Sequence, residues 1–180
     1  MYKILLFLLF LSTASHAELY ELKYPSKSKF LKNIWVPVLN INGWHQDKEH
    51  TLWLHSNIHV PDGSTYINSP IKIFANAVNK KRHPKFKSLT DFIDNYYIAG
   101  FGELERNVKP KKEKNIYTAD GKELISYSIS SLTDLPWERV SYGEEGDYFT
   151  IFTLSGRTED AYKSALPIYL KSLEEYSATP

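Results

Sequence analysis

The chain has 180 residues, 22 Lys+Arg against 21 Asp+Glu, and no cysteine. That length fits one domain, and 42% hydrophobic with 14% aromatic residues supplies a core and argues against wholesale disorder. Zero cysteines exclude disulfides, thiolate metal sites, a cysteine nucleophile and a lipid-anchored N-terminal cysteine, and a formal net charge of +1 gives no global pull toward nucleic acid or an anionic membrane.

Residues 1–17 have the anatomy of a secretory signal peptide. Lys3 is the basic n-region, Ile4–Leu11 an unbroken apolar stretch, and Ser15 and Ala17 the small residues before a cleavage site. The apolar stretch is far short of the ~20 residues a membrane span needs, so no stable anchor is expected. Cleavage near Ala17 predicts a periplasmic or secreted protein, with 21 basic and 21 acidic side chains left once Lys3 is removed. Residues 18–33 form a polar, lysine-rich lead, and 34–180 a single domain.

Within that domain, Ile34–Ile41 reads as an edge strand carrying Pro37. Thr51–Val60 alternates with period two, with Trp53, His55, Asn57 and His59 on one face, and predicts a strand closed by Pro61-Asp62-Gly63. Ile71–Val78 is a further strand. Ser88, with Asp91 three residues on, predicts a helix N-terminus, followed by Leu89, Phe92, Ile93, Tyr96 and Tyr97 at helical spacing. Gly100 and Gly102 are the expected stop. Two hairpins follow: Asn115–Thr118 with Glu123–Ser130 around an Asp120-Gly121 type I′ turn, and Trp137–Tyr142 with Tyr148–Ser155 around Gly143–Gly146. The segment YFTIFTLS is the most β-prone in the chain and is expected at the sheet centre. Thr158 caps a final helix with Glu159 and Asp160 in its first turn. Tyr162, Leu166, Tyr169, Leu173 and Tyr176 lie on one face of it, and Pro167 is expected to kink or divide it. Strands and helices segregated in this way predict an α+β domain, an antiparallel sheet with helices packed on its faces.

Catalytic and metal-binding patterns are weak. His55 and His59 on one strand would stand roughly 13 Å apart, too far for two ligands of one zinc at about 2 Å each. No nucleophile elbow, Walker A loop or dinucleotide fingerprint occurs. Glu138, Glu144, Glu145 and Asp147 lack calcium-loop spacing. No metal, cofactor or catalytic residue is therefore assigned. The basic stretches Lys80–Lys87 and Lys109–Lys114 hold nine Lys/Arg, against the acidic Leu132–Glu159 stretch, and such polarity steers partners. Candidate partner-binding residues are Trp44 and Trp53, since tryptophan is enriched at hot spots, with Lys80, Lys81 and Arg82 on the basic side and Glu144, Glu145 and Asp147 on the acidic side. Trp137 is read as core.

The segments Asp120-Gly121-Lys122-Glu123-Leu124, Trp137–Tyr142, Glu145-Gly146-Asp147-Tyr148-Phe149, Phe152-Thr153-Leu154-Ser155 and the closing helix resemble a PsbP-like domain. Gly43-Trp44, Ser69-Pro70-Ile71 and Ser88-Leu89 extend the match over about residues 34–176. The resemblance is to small exported bacterial members of that superfamily. It implies an α/β/α sandwich and a non-catalytic role, since members serve as extrinsic subunits, binding partners or secretion chaperones and share no catalytic residue. The insert around Lys109–Lys114 and the N-terminal lead depart from the pattern.

These readings together predict an exported, non-catalytic binding or accessory protein acting through protein–protein contact. A specific form is an immunity protein that blocks a periplasm-directed toxin. The competing expectations are a small hydrolase using Glu138 or Glu145 with a histidine, and a carrier with a ligand pocket between sheet and helix. Nucleic acid is not an expected partner.

Overall fold

A computed structural model describes residues 19–23, 33–98, 110–130 and 136–178. The expected signal segment, most of the lead, and the expected helix stop at Gly100 and Gly102 lie outside the described residues. Strands β1 (Leu19–Lys23) and β2 (Asn33–Pro37) pair with each other in a separate two-stranded sheet, Leu19 opposite Pro37.

The main sheet is antiparallel throughout. Its strands are β3 (Trp44–Gln46), β4 (Asn57–Pro61), β5 (Ile71–Asn79), β6 (Lys111–Lys112), β7 (Ile116–Tyr117), β8 (Glu123–Ile129), β9 (Trp137–Glu145) and β10 (Tyr148–Gly156). They lie in the order β3-β4-β5-β10-β9-β8-β6, with β7 also on β8. Strand β10 thus occupies the centre, as its β-branched and aromatic composition predicts, and all nine of its residues pair with β5 on one side and β9 on the other. The lysine-rich 111–112 segment is the outer edge, where charge discourages further strand pairing.

Each face carries its own apolar cluster. On the first, Ile71, Ile73, Ala75, Leu124, Phe152 and Leu154 meet helix α3 (Glu159–Glu174) through Tyr162, Ala165, Tyr169 and Leu173, with Tyr176 just beyond it. Thr158 caps α3, its side chain accepting from Ala161 N–H, as expected. The helix does not divide at Pro167: that residue is on the exposed side, where the missing bond to the Lys163 carbonyl is open to solvent. Gly156 makes the close approach possible, since a Cβ there would stand 2.8 Å from the Tyr162 backbone nitrogen.

On the opposite face, Val140, Tyr142, Phe149, Ile151 and Ile129 pack against Phe86, Phe92 and Ile93. Phe92 belongs to the short α2 (Leu89–Phe92), capped by Ser88, and its ring stacks on Phe149 at 4.6 Å. From Ile93 to Ile98 the turns widen to π geometry. The protein is an α+β fold with helices packed on an antiparallel sheet.

Three local expectations are corrected. Residues 51–60 are not one strand: α1 (Lys48–Leu54) starts at Asp47, whose side chain accepts from His50 N–H, and ends at His55 in the left-handed region (φ 55°) before β4 begins. The Asp120-Gly121 turn is not type I′. Only Gly121 has positive φ (79°), the Gly121 N–H bonds the Thr118 carbonyl at 2.9 Å, and this is the three-residue loop in which a type I turn is followed by a left-handed glycine. The second hairpin turns at Gly146-Asp147, not over residues 143–146, so Gly143, Glu144 and Glu145 all belong to β9.

Candidate functional site

The basic and acidic segments meet. Lys80, Lys81 and Arg82 form a 3-10 turn at the end of β5, capped by Asn79, whose side chain accepts from Lys81 N–H. The register of β5 on β10 puts Asn79 opposite Tyr148, directly beside the Gly146-Asp147 turn. There the Lys80 N–H donates to the Asp147 carbonyl at 2.9 Å. Lys80 Nζ bonds the Glu144 carboxylate and donates to the Gly146 carbonyl at 2.5 Å, while Lys81 Nζ pairs with Asp147 Oδ2 at 2.5 Å. The hydrogen bond from Lys81 holds the exposed Asp147 carboxyl below its ordinary value and raises the lysine in turn. Two cations of the basic stretch are thus paired with two carboxylates of the acidic one. Arg82 is exposed and, among the described residues, without an ion-pair partner.

Glu145 is not at this surface, and its expected contact role is corrected. With the turn at 146–147, Glu145 points to the α3 face and is only 5% exposed. Its Oε2 accepts from the Tyr176 hydroxyl at 3.0 Å. Burial raises its carboxyl above the ordinary range, opposed by that hydrogen bond and by Lys122. Glu138 lies seven residues away on the same strand, an odd separation that puts it on the opposite face. Glu138 and Glu145, the alternative carboxylates of the hydrolase reading, thus lie on opposite faces of β9.

The tryptophans separate into different roles. Trp137 is half-buried, its ring 6.2 Å from Tyr162, in keeping with a core reading. Trp53 lies near the end of α1 and is 74% exposed, and the adjacent Leu54 is 37% exposed. The residue that α1 buries is Thr51, whose Oγ1 accepts from Ile58 N–H at 3.0 Å. Trp44 is half-buried on β3, against the α3-side cluster, and lines a cleft of about 400 Å³ between residues 38–41 and strands β3 and β4.

That cleft also holds Gln46, Lys48, Asn57 and His59. Asn57 bridges its walls: its Nδ2 donates to the Pro37 carbonyl and its Oδ1 accepts from Gln46, both at 2.9 Å. His59 is 5% exposed, and burial, reinforced by His45, lowers it to about 4. It stays neutral, and its Nε2 has no hydrogen-bond partner among the described residues. Two other histidines pair with carboxylates. His50 bonds Asp47 at 3.0 Å and stacks on Tyr66 at 4.7 Å, and His45 faces Asp62 at 3.4 Å. Reading 51–60 as a strand put His59 on a face with Trp53. Its burial was missed because the period was carried across a helix cap.

Among the described residues no group of three or more His, Asp or Glu is placed to hold a metal ion, and no helix is long and apolar enough to cross a membrane. No family model matches the chain and no curated protein matches it.

Proposed function

We propose that the chain is an exported, periplasmic binding protein that works by protein–protein contact rather than by catalysis. The observation that carries this reading is Trp53: a large indole, 74% exposed on a helix that buries a threonine instead, beside the exposed Leu54. Exposed large aromatic residues beside other apolar ones are typical of contact sites, where tryptophan is a preferred anchor. The proposed partner is a toxin delivered to the same compartment, which this protein occludes as an immunity factor. The sheet with an apolar cluster and helical cover on each face supports placing the domain with the PsbP-like sandwiches, whose members mostly bind rather than catalyse.

Tagged protein captured from its own periplasm tests this, with Trp53→Ala as the matched control and a thermal melt of both. One stoichiometric partner, bound at least about tenfold more weakly by the variant, supports the reading. Growth arrest by that partner in a deletion strain supports the immunity form. No partner, or equal recovery with both proteins, overturns it.

A second reading, a small-ligand carrier, is favoured by the Trp44 cleft, which joins an indole wall to the amides of Gln46 and Asn57.

A further inference from the structure

Strand alternation builds the Trp44 cleft from one face of β3. Trp44 and Gln46 point to the same side, with His59 of β4 opposite Gln46 in register and Asn57 two residues before it. His45, between them, turns the other way to Asp62. Leu39 and Ile41 are buried members of the α3-side cluster and give the cleft an apolar floor. Lys48, the first residue of α1, is exposed and lines the rim.

The hydrogen bonds within the walls fix what is left for a ligand. The Pro37 carbonyl can only accept, so Asn57 presents Nδ2 to it and Oδ1 to Gln46. Gln46 therefore donates through Nε2, and its Oε1 remains as an acceptor. Neither Gln46 Oε1 nor Lys48 Nζ has a partner among the described residues, and both are open to solvent, unlike His59 Nε2, which is closed off and offered to nothing. Asp47, next to Lys48, is engaged by His50 and by the Tyr66 N–H. Burial keeps His59 neutral, so Lys48 is the one charge among the described lining residues. An aromatic wall, an open acceptor and an unpaired cation thus share a cleft of about 400 Å³, a volume at the small end of ligand pockets.

We propose that this cleft binds a small aromatic carboxylate carrying a hydroxyl or N–H donor on its ring. The ring packs on the half-buried Trp44 indole. Lys48 Nζ gives the carboxylate a charge-assisted bond, and Gln46 Oε1 accepts from the ring donor. A single cation balances a single negative charge, which favours a carboxylate over a dianionic phosphate. The proposal rests on the carrier reading of this cleft, whose ligand it names, and not on the contact role of Trp53.

The test is calorimetric titration with 4-hydroxyphenylacetate, phenylacetate, 4-hydroxyphenylacetamide and tyramine, with the Trp44 indole N–H followed by NMR. Both acids are expected to bind and move that signal, the hydroxylated one about fivefold more tightly. The amide should bind at least about tenfold more weakly than its acid, and the amine not at all. Lys48→Gln, at an exposed position, should bring the acid down to the affinity of the amide and leave the amide unchanged. Val38→Trp, made from a half-buried position on the wall, fills the cleft and should abolish binding of every probe. Amide or amine bound as tightly as the acid, or acid binding unchanged by Lys48→Gln, overturns the proposal while the carrier reading stands. No binding of any probe at millimolar concentration overturns both.

Discussion

Tyr176 donates its hydroxyl to Glu145 Oε2 at 3.0 Å, so the segment after α3 is fastened to the last residue of β9. The Tyr176 carbonyl also accepts from Ala119 N–H at 2.8 Å. The chain beyond the helix is thereby tied to two hairpins, and the carboxyl it covers is buried with Lys122 and Asp120 as its charged neighbours.

Burial lifts Glu145 above its ordinary 4.5, so the folded chain keeps this proton to higher pH than the unfolded chain does. Its stabilising contribution is complete below 4.5, falls as pH rises from there to the raised folded value, and is flat above it. Glu145→Gln cannot titrate. The melting temperature of Glu145→Gln relative to the native protein should therefore be higher at neutral pH than below 4.5. Parallel melting curves across that range would sink the assignment. Tyr176→Phe, which removes the hydroxyl that donates to this carboxyl, should cost about 1–3 kcal/mol.

His59 gives the opposite slope. Its folded value is lowered from 6.5 to about 4 by burial, so the unfolded chain takes up the proton first on acidification. Stability from this group is full above 6.5 and is lost as pH falls through about 4, a change of order 3 kcal/mol. His59→Gln should remove that component of acid sensitivity, seen as a flatter denaturant midpoint between those two pH values.

Trp53→Ala should leave stability within about 0.5 kcal/mol, because the indole is exposed. Phe152→Ala, on the central strand and fully buried, should cost about 3–5 kcal/mol. Equilibrium unfolding in urea checks both. A large loss with Trp53→Ala would make that residue structural and remove the basis for its contact role.

Gly143 lies inside β9, where a Cβ would stand 2.6 Å from Leu124 Cδ2 and 2.8 Å from Thr150 Oγ1. Gly143→Ala should destabilise by about 1–3 kcal/mol through overpacking. Adding Leu124→Ala should recover part of the loss as a coupling term in a double-mutant cycle. Strict additivity of the two losses would count against the contact.

Much of the sheet was legible because its signals were local. The composition of Tyr148–Ser155, the Ser88 and Thr158 caps and the one-sided spacing of Tyr162, Tyr169 and Tyr176 each act within a few residues of themselves. The misplaced features have different causes. Reading Gly143–Gly146 as a turn put Glu145 at a solvated tip, whereas moving the turn to Gly146-Asp147 sends the same side chain inward, because strand neighbours alternate faces. Trp53 and His59 fit period two by coincidence, and Asp47, three residues before His50, was the overlooked helix start. Pairing of Lys80 and Lys81 with Glu144 and Asp147 depends on two strands meeting from distant parts of the chain, which no spacing encodes.

The register of β5 on β10 also sets an order of assembly. Ile71 pairs with Gly156 and Asn79 with Tyr148, so the centre of the sheet joins segments separated by the whole intervening chain. Closing so long a loop is entropically costly and slow, and is rewarded only when both strands are present. A nascent chain that ends short of Gly156 has Ile71, Ile73 and Ala75 without the full β10 strand and the α3 helix that cover them, and whatever holds the growing polypeptide meets those side chains first. Truncations before residue 156 should therefore emerge as chaperone clients rather than as smaller folded domains.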